Sequence, residues 1–254
     1  YNIFNPKNID SRSFVMDLEE IKKNSDWQAF SENDYSNDNF VEGYICHTSN
    51  DLYGALFIKK VNGTKCPQLI LTTPKIKYPF DSQMRWQFPK AVTIHCYEKL
   101  DGSNVFAYYY KDSSDKTYVS YKTRLTPFLK DSKFGPFRTM WKEILLRYPE
   151  IPKVVLRHRI NISFELWGSR NPHLVKYNIP LEASALFVRY EGKIEPPISS
   201  LSVLSSVMHF PSATFIRSVD KDYVWNYQQA QEENEKKLKE TEDGYLGSEG
   251  EVWY

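Results

Sequence analysis

Apolar and polar positions along this chain change period several times, and each change marks an expected element. Residues 13–31 (FVMDLEEIKKNSDWQAFSE) carry a loose helical spacing, and the Asn/Asp/Ser-rich stretch 32–39 predicts a loop. Between Tyr53 and Tyr78, the runs YGALFIKKV and PQLILTT are separated by Asn62-Gly63, which predicts a β-hairpin. Val92–Tyr97 alternates as a strand does, Lys99–Asn104 reads as a turn, and VFAYYYK alternates again. After the polar DSSDK, strand character resumes at Tyr118–Thr123. At 136–149 (PFRTMWKEILLRYP) the period becomes helical, with Met140, Ile144 and Leu145 on one stripe. Val154–Leu166 and Ser184–Tyr190 return to strand character, 226–243 predicts a charged, largely solvated helix, and GSEGEVWY a last strand. Strands interrupted by inserted helices, without internal repeats, predict an α+β architecture.

Composition narrows the class. Over 254 residues, 41% hydrophobic and 26% charged positions are ordinary for a globular chain with a real core. A net charge of +1 excludes a strongly basic nucleic-acid coat, so phosphate contacts must come from local clusters. The high aromatic share, with 18 Tyr, favours strands. Cys46, Cys66 and Cys96 are odd in number and form no CxxC, which argues against a disulfide framework or a structural zinc site and fits a reducing compartment. No apolar run approaches a membrane span and residues 1–30 lack a signal-peptide core, so a cytoplasmic protein is expected.

Three segments carry candidate chemistry. In Glu98-Lys99-Leu100-Asp101-Gly102-Ser103-Asn104, a lysine stands at the mouth of a strand beside Asp-Gly. An ordinary lysine, with a pKa of about 10.4, is a poor nucleophile near neutrality unless neighbouring cations or desolvation remove its proton. The alternative is a structural hairpin turn with Asp-Gly at its tip. In Ile162–Gly168, alternation puts Glu165 with Ser163 and Trp167 on one face, opposite Ile162, Phe164 and Leu166. A carboxylate among such neighbours is either partnered in the interior or lines a site. In Ser248-Glu249-Gly250-Glu251-Val252-Trp253, a carboxylate again meets a glycine and a strand; its structural alternative is an edge-strand charge that discourages aggregation.

Taken in order, Lys99-Leu100-Asp101-Gly102, Phe164-Glu165-Leu166-Trp167-Gly168 and Glu249-Gly250-Glu251-Val252 resemble the KxDG, FE-G and EG-V motifs of the covalent nucleotidyltransferase superfamily of ligases and capping enzymes. Ser103 after the glycine is typical of its RNA ligases; Asn104 stands where DNA ligases and capping enzymes more often have arginine. The chain resembles most the bacteriophage-type RNA ligase 1 family, which repairs broken tRNA anticodon loops. Its supports are Thr73–Phe80 upstream of Lys99 and the stretch from Phe164 through Ser169-Arg170-Asn171 to Tyr177. The resemblance covers residues 55 to 254 and leaves residues 1–50 as an N-terminal extension.

The resemblance implies a single adenylyltransferase domain of ATP-grasp-like antiparallel sheets with flanking helices. It implies ATP-dependent joining of 5′-phosphate and 3′-hydroxyl RNA ends through lysyl-AMP and RNA-adenylate, with Mg²⁺ as cofactor and Mn²⁺ able to replace it. Lys99 is then the nucleophile, and Glu98 lies near the adenine edge. Asp101, Glu165 and Glu249 hold the water shell of the metal, Glu165 alternatively taking the ribose. Lys77 engages the outer ATP phosphates, Arg124 the nucleotide sugar or phosphate, and Phe187 the adenine ring. Lys77 and Arg124 read equally as solvated charges, and Phe187 as plain core. The basic stretch Arg138, Lys142, Arg147, Lys153, Arg157, His158 and Arg159 reads either as a phosphate track or as a solvated helix face. Two departures stand out. Tyr53 and Gly54 occupy the place of a family arginine, and the family's KxK pair, which contacts the α-phosphate, has no counterpart before Tyr254. Adenylylation by a chain ending there is expected to be severely weakened. A capping guanylyltransferase, a DNA ligase and an inactive nucleic-acid-binding relative are the competing expectations, and a monomer is the expected state.

Overall fold

A computed structural model describes residues 26–197, 209–237, 239–241 and 244–254; residues 13–25 of the helix expected over 13–31 lie outside them. The described chain opens with a four-stranded antiparallel meander, β1 (Trp27–Asp34), β2 (Asn39–Cys46), β3 (Leu56–Val61) and β4 (Thr64–Ile70). Here the helical expectation fails. Residues 27–31 are strand because β1 pairs with β2 along its whole length, from Trp27 opposite Cys46 to Asp34 opposite Asn39. That ladder also buries Trp27 and Phe30, and it outweighs a weak local periodicity. The loop expected at 32–39 shrinks to a turn at 35–38. The Asn62-Gly63 hairpin forms, with both residues left-handed (φ 51° and 81°) as a type I′ turn requires. Residues 27–46, which carry no recognisable family motif, are therefore half of this sheet.

Strand β5 (Ile94–Glu98) and strand β6 (Ser103–Lys111) belong to different sheets, so Asp101-Gly102 is not a hairpin tip. β6 pairs with β7 (Thr117–Lys122) and β8 (Asn161–Trp167); β9 (Glu182–Tyr190) and β10 (Lys193–Glu195) complete a five-stranded antiparallel sheet in the order β10-β9-β8-β6-β7. Its two faces are both buried, which explains why VFAYYYK is apolar almost throughout. Val105 and Ala107 face a core shared with helices α1 (Phe137–Arg147) and α2 (Ile151–His158), through Met140, Trp141, Ile144, Val154 and Val155. Phe106, Tyr108 and Tyr110 face the first sheet, against Phe30, Val41, Leu56 and Ile58.

The strand expected across Val154–Leu166 divides in two. Pro152 starts α2, Ile151, Val154 and Val155 form its buried stripe, and left-handed Arg159 (φ 52°) ends it before β8 begins. A short β-branched run is ambiguous between helix and strand, and packing of the i, i+3, i+4 stripe on the sheet decided it. A third sheet has the order β11-β5-β14, with β11 (Phe215–Val219) and β14 (Glu251–Trp253) flanking β5. Helix α3 (Tyr223–Lys237) packs Tyr227 against Ile94, Cys96 and Trp253 of that sheet. The charged helix expected to run to 243 ends earlier, because Lys239–Thr241 (β12) pairs with Gly244–Leu246 (β13). The architecture is α+β, antiparallel sheets with flanking helices. All three cysteines are free.

Candidate functional site

A cleft of about 340 Å³ opens where the five-stranded sheet meets the β11-β5-β14 sheet. Glu98 enters it from the end of β5, Lys99 and Asp101 from the connection to β6, Arg124 from just past β7, Glu165 from β8, Phe187 from β9 and Glu249 from the approach to β14. The residues singled out from the sequence thus converge, with one exception. Lys77 is exposed and does not line the cleft, whereas Lys75, two positions earlier, does. The two lysines of Thr73-Pro74-Lys75-Ile76-Lys77 share a parity, so alternation could not choose between them.

The positions follow from strand pairing. Glu251 lies opposite Glu98 in the β14–β5 ladder, and the Lys99 N–H donates to the Gly250 carbonyl at 3.0 Å, which brings Glu249 alongside Lys99. The Lys99 amine and the Glu249 carboxylate form an ion pair. Glu249 therefore precedes the strand rather than lying within it, and its carboxylate is engaged with the lysine instead of guarding an edge. Glu165 is paired across the sheet with Asn104, which donates to Ser163 Oγ at 2.8 Å and to the Phe164 carbonyl at 3.0 Å. Burial pushes the Glu165 carboxyl up to about 8, with Glu249 and Asp101 raising it and Lys99 and Arg124 opposing. Asp101 is buried, its Oδ2 accepting the Val175 N–H at 2.7 Å. Gly102 does not adopt the left-handed conformation a hairpin tip would need; it is required by close approach, since a Cβ there would lie 2.2 Å from the Leu166 carbonyl oxygen.

Of two nearby basic groups, Arg124 lines the cleft and Lys122 does not. Arg124 lies over the Tyr53 ring at 5.4 Å, and burial draws its guanidinium below the ordinary range, with Glu165 opposing. Lys122 is fully buried, its ammonium donating to the carbonyls of Thr123 and Arg124 at 3.0 and 2.9 Å, and burial together with Arg124 lowers it to about 7. A Cβ at Gly54 would meet the Arg124 carbonyl at 2.3 Å and Lys122 Nζ at 3.3 Å. Gly54 is therefore a small residue that leaves room for the Arg124 backbone and the Lys122 ammonium. Lys122 was not legible in the sequence: a lysine ending an exposed-looking strand reads as solvated.

Phe187 is 1% exposed, yet it lines the cleft together with the apolar Leu186 and Val252 and with Tyr254. Core residue and cleft wall are here one position. Among the described residues no group of three or more His, Cys, Asp or Glu is close enough to ligate a metal directly. Asp101, Glu165 and Glu249 form an all-oxygen donor set around one cleft, which suits a hydrated Mg²⁺ or Mn²⁺ reached through water better than a caged ion. None of the five histidines lines the cleft. His173, given no role from the sequence, contacts Ser103 through Nε2 at 3.2 Å. Arg138 and Lys142 of the basic stretch border a separate pocket beside β7 and α1.

No protein-family model and no curated protein sequence matches the chain. Among solved structures, two forms of an archaeal ATP-dependent RNA ligase are similar. One has a TM-score of 0.55 and 15% identity over 93% of this chain and 56% of the other. The second has a TM-score of 0.54 and 17% identity over 84% and 52%. A protein from Aquifex aeolicus assigned as an ATP-dependent DNA ligase gives 0.51 and 12% over 91% and 60%. The chain spans little more than half the length of these proteins, and among its described residues no helix is long and apolar enough to cross a membrane. At such identities the likeness is one of fold: this chain has the fold found in ATP-dependent RNA and DNA ligases.

Proposed function

We infer that the chain is the nucleotidyltransferase part of an ATP-dependent RNA ligase, with Lys99 as the nucleophile. The observation that carries this reading is the meeting of Lys99 and Asp101 with Glu165 and Glu249 in one cleft, brought there by three different parts of a ligase-like fold. A structural lysine has no reason to gather, besides its neighbour Asp101, two carboxylates remote in sequence, one of them pushed to about 8 by burial.

In the reaction assigned to this site, the Lys99 amine leaves its pairing with Glu249 and, deprotonated, attacks the α-phosphorus of ATP. The P–N bond forms as the α–β P–O bond breaks, and pyrophosphate departs. An RNA 5′-phosphate oxygen then displaces lysine to give RNA-adenylate. A 3′-hydroxyl attacks that phosphate, loses its proton, and AMP leaves as the phosphodiester forms. Phe187 and Val252 bound the adenine, Glu98 meets its edge, and Lys75 and Arg124 face the phosphates or sugar. Asp101, Glu165 and Glu249 would hold a hydrated Mg²⁺ or Mn²⁺, which supplies charge neutralisation at the phosphates. Ser103, with Asn104 in place of an arginine, favours RNA over DNA or cap chemistry.

The test is incubation of the full-length protein with α-labelled ATP or GTP and Mg²⁺. A covalent AMP adduct, lost in Lys99→Ala, and sealing of nicked RNA in preference to nicked DNA are expected. A GMP adduct without an AMP adduct overturns the ligase assignment, and preferential sealing of DNA overturns the choice of RNA.

A further inference from the structure

The connection that carries Lys99 lacks a ladder of its own. β5 pairing ends at Glu98 opposite Glu251, and β6 pairing starts at Ser103 opposite Leu166. Residues 99–102 bridge two sheets, and their polar groups need partners from elsewhere. Besides Gly250 and Glu249, the partners come from one segment, residues 171–177, which follows β8.

The contacts are specific. The Asp101 N–H donates to the Tyr177 hydroxyl at 2.9 Å, and the Val175 N–H donates to Asp101 Oδ2 at 2.7 Å. Asn171 Nδ2 donates to Ser103 Oγ at 3.1 Å, and His173 Nε2 lies 3.2 Å from the same oxygen. His173 Nδ1 is 4.0 Å from Asp101 Oδ1, outside hydrogen-bonding reach, so the segment engages one carboxylate oxygen and stands off from the other. The segment is itself anchored. Asn171 is 6% exposed and also donates to the Leu166 carbonyl at 2.8 Å, while the Tyr177 ring packs on Trp167 with centroids 4.8 Å apart. On its far side it grips the chain leading to Glu249: the Tyr245 N–H donates to the Leu174 carbonyl at 2.6 Å and the Lys176 N–H to the Tyr245 carbonyl at 2.7 Å. One segment thus ties the turn bearing Lys99 and Asp101 to the stretch that delivers Glu249.

We propose that residues 171–177 form a positioning strap for nucleotidyl transfer, in which the Tyr177 hydroxyl sets the orientation of Asp101 relative to Lys99. The proposal rests on the reaction assigned above. It makes Tyr177 a positioning residue, because it acts through the Asp101 backbone and does not line the Lys99 cleft. Transfer to phosphorus is sensitive to misplacement of the attacking group, so slackening the turn costs rate rather than ATP binding.

Tyr177→Phe removes the hydroxyl and keeps the ring on Trp167. In the full-length protein, single-turnover formation of the AMP adduct is expected to fall about tenfold in maximal rate, the scale of one hydrogen bond. The ATP concentration for half-maximal rate is expected to stay unchanged, and the unfolding temperature to fall by only about 2–5 °C. An unaltered maximal rate, or a loss that appears only as a raised ATP requirement, overturns the proposal. Amide hydrogen exchange supplies a readout independent of activity. The Asp101 amide is expected to exchange at least about tenfold faster in Tyr177→Phe, while the β6 amides stay protected. Unchanged Asp101 exchange overturns the strap even if the ligase reading stands. A wild-type protein that forms no adduct overturns the assigned reaction and with it Tyr177's catalytic service, leaving exchange to judge the hold alone.

Discussion

The backbone N–H of Lys99 donates to the carbonyl of Gly250 at 3.0 Å, closing a contact between segments 150 residues apart, as the Lys99–Glu249 ion pair also records. The amine and the carboxylate therefore share a register fixed by main chain, and the ion pair is a consequence of the β5–β14 ladder. Glu249→Gln keeps that register and removes the charge. Adduct formation is expected to fall by about 100-fold, the scale of losing one charged group at a reacting phosphate, with the protein still folded. An adduct formed at the wild-type rate, followed with α-labelled ATP, would show that Glu249 is an edge charge after all.

Gly102 and Gly63 make a contrasting pair. A Cβ at Gly102 would fall 2.2 Å from the Leu166 carbonyl oxygen, against backbone that cannot yield cheaply, whereas a Cβ at Gly63 would meet nothing within 4 Å. Gly63→Ala is expected to cost only about 1 kcal/mol, from its left-handed φ. Gly102→Ala should cost about 2–4 kcal/mol by overpacking. Urea unfolding midpoints of the two variants measure the difference, and equal midpoints would refute the close-approach account.

Glu165 gives a pH signature. Its carboxyl stands at about 8 in the folded protein against an ordinary 4.5, because burial penalises the charged form. Between those values the unfolded chain releases a proton that the folded chain keeps, so stability falls as pH rises from about 4.5 and levels off above about 8. Glu165→Gln abolishes that slope. The unfolding temperature of the variant relative to wild type is expected to rise across this window, and added Mg²⁺ should narrow the gap by favouring the ionised cluster. A pH-independent difference would contradict the burial of this carboxyl.

Lys122 runs in the opposite sense. Its folded value of about 7 lies below the ordinary 10.5, so the unfolded chain binds the proton more readily and stability is lost as pH falls from about 10.5 toward 7. Lys122→Met should therefore gain unfolding temperature relative to wild type more at about pH 6.5 than at about pH 9.5, two conditions on either side of the folded value. Because Lys122 holds the Thr123 and Arg124 carbonyls, the same variant is expected to form the AMP adduct more slowly. A wild-type adduct rate in Lys122→Met would separate Arg124 from this anchor.

Much of the site was legible because its groups sit in short local patterns. Lys99-Leu100-Asp101-Gly102, Phe164-Glu165 and Glu249-Gly250 each announce a carboxylate or lysine beside a strand, and strands deliver side chains to known faces. Lys75, Lys122, His173 and Tyr177 were not, because their parts depend on partners far along the chain: Lys122 on carbonyls beside Gly54, Tyr177 on the Asp101 amide. The same holds for elements. β1 is strand through its pairing with β2, and α2 is helix through the stripe it packs on the central sheet; neither partner is visible in a local window.

By itself the sequence determined the α+β class, the Asn62-Gly63 hairpin, the strand at VFAYYYK and the identity of the groups that could do chemistry, since each rests on a local period or a side chain's own reactivity. Tertiary structure alone decided that those groups meet. A hydrogen bond from Lys99 to Gly250, a strand pairing that sets Glu165 beside Asn104, and a strap from Asn171 to Tyr177 around Asp101 are long-range contacts. Their geometry depends on how whole sheets pack, and no single segment of the chain encodes it.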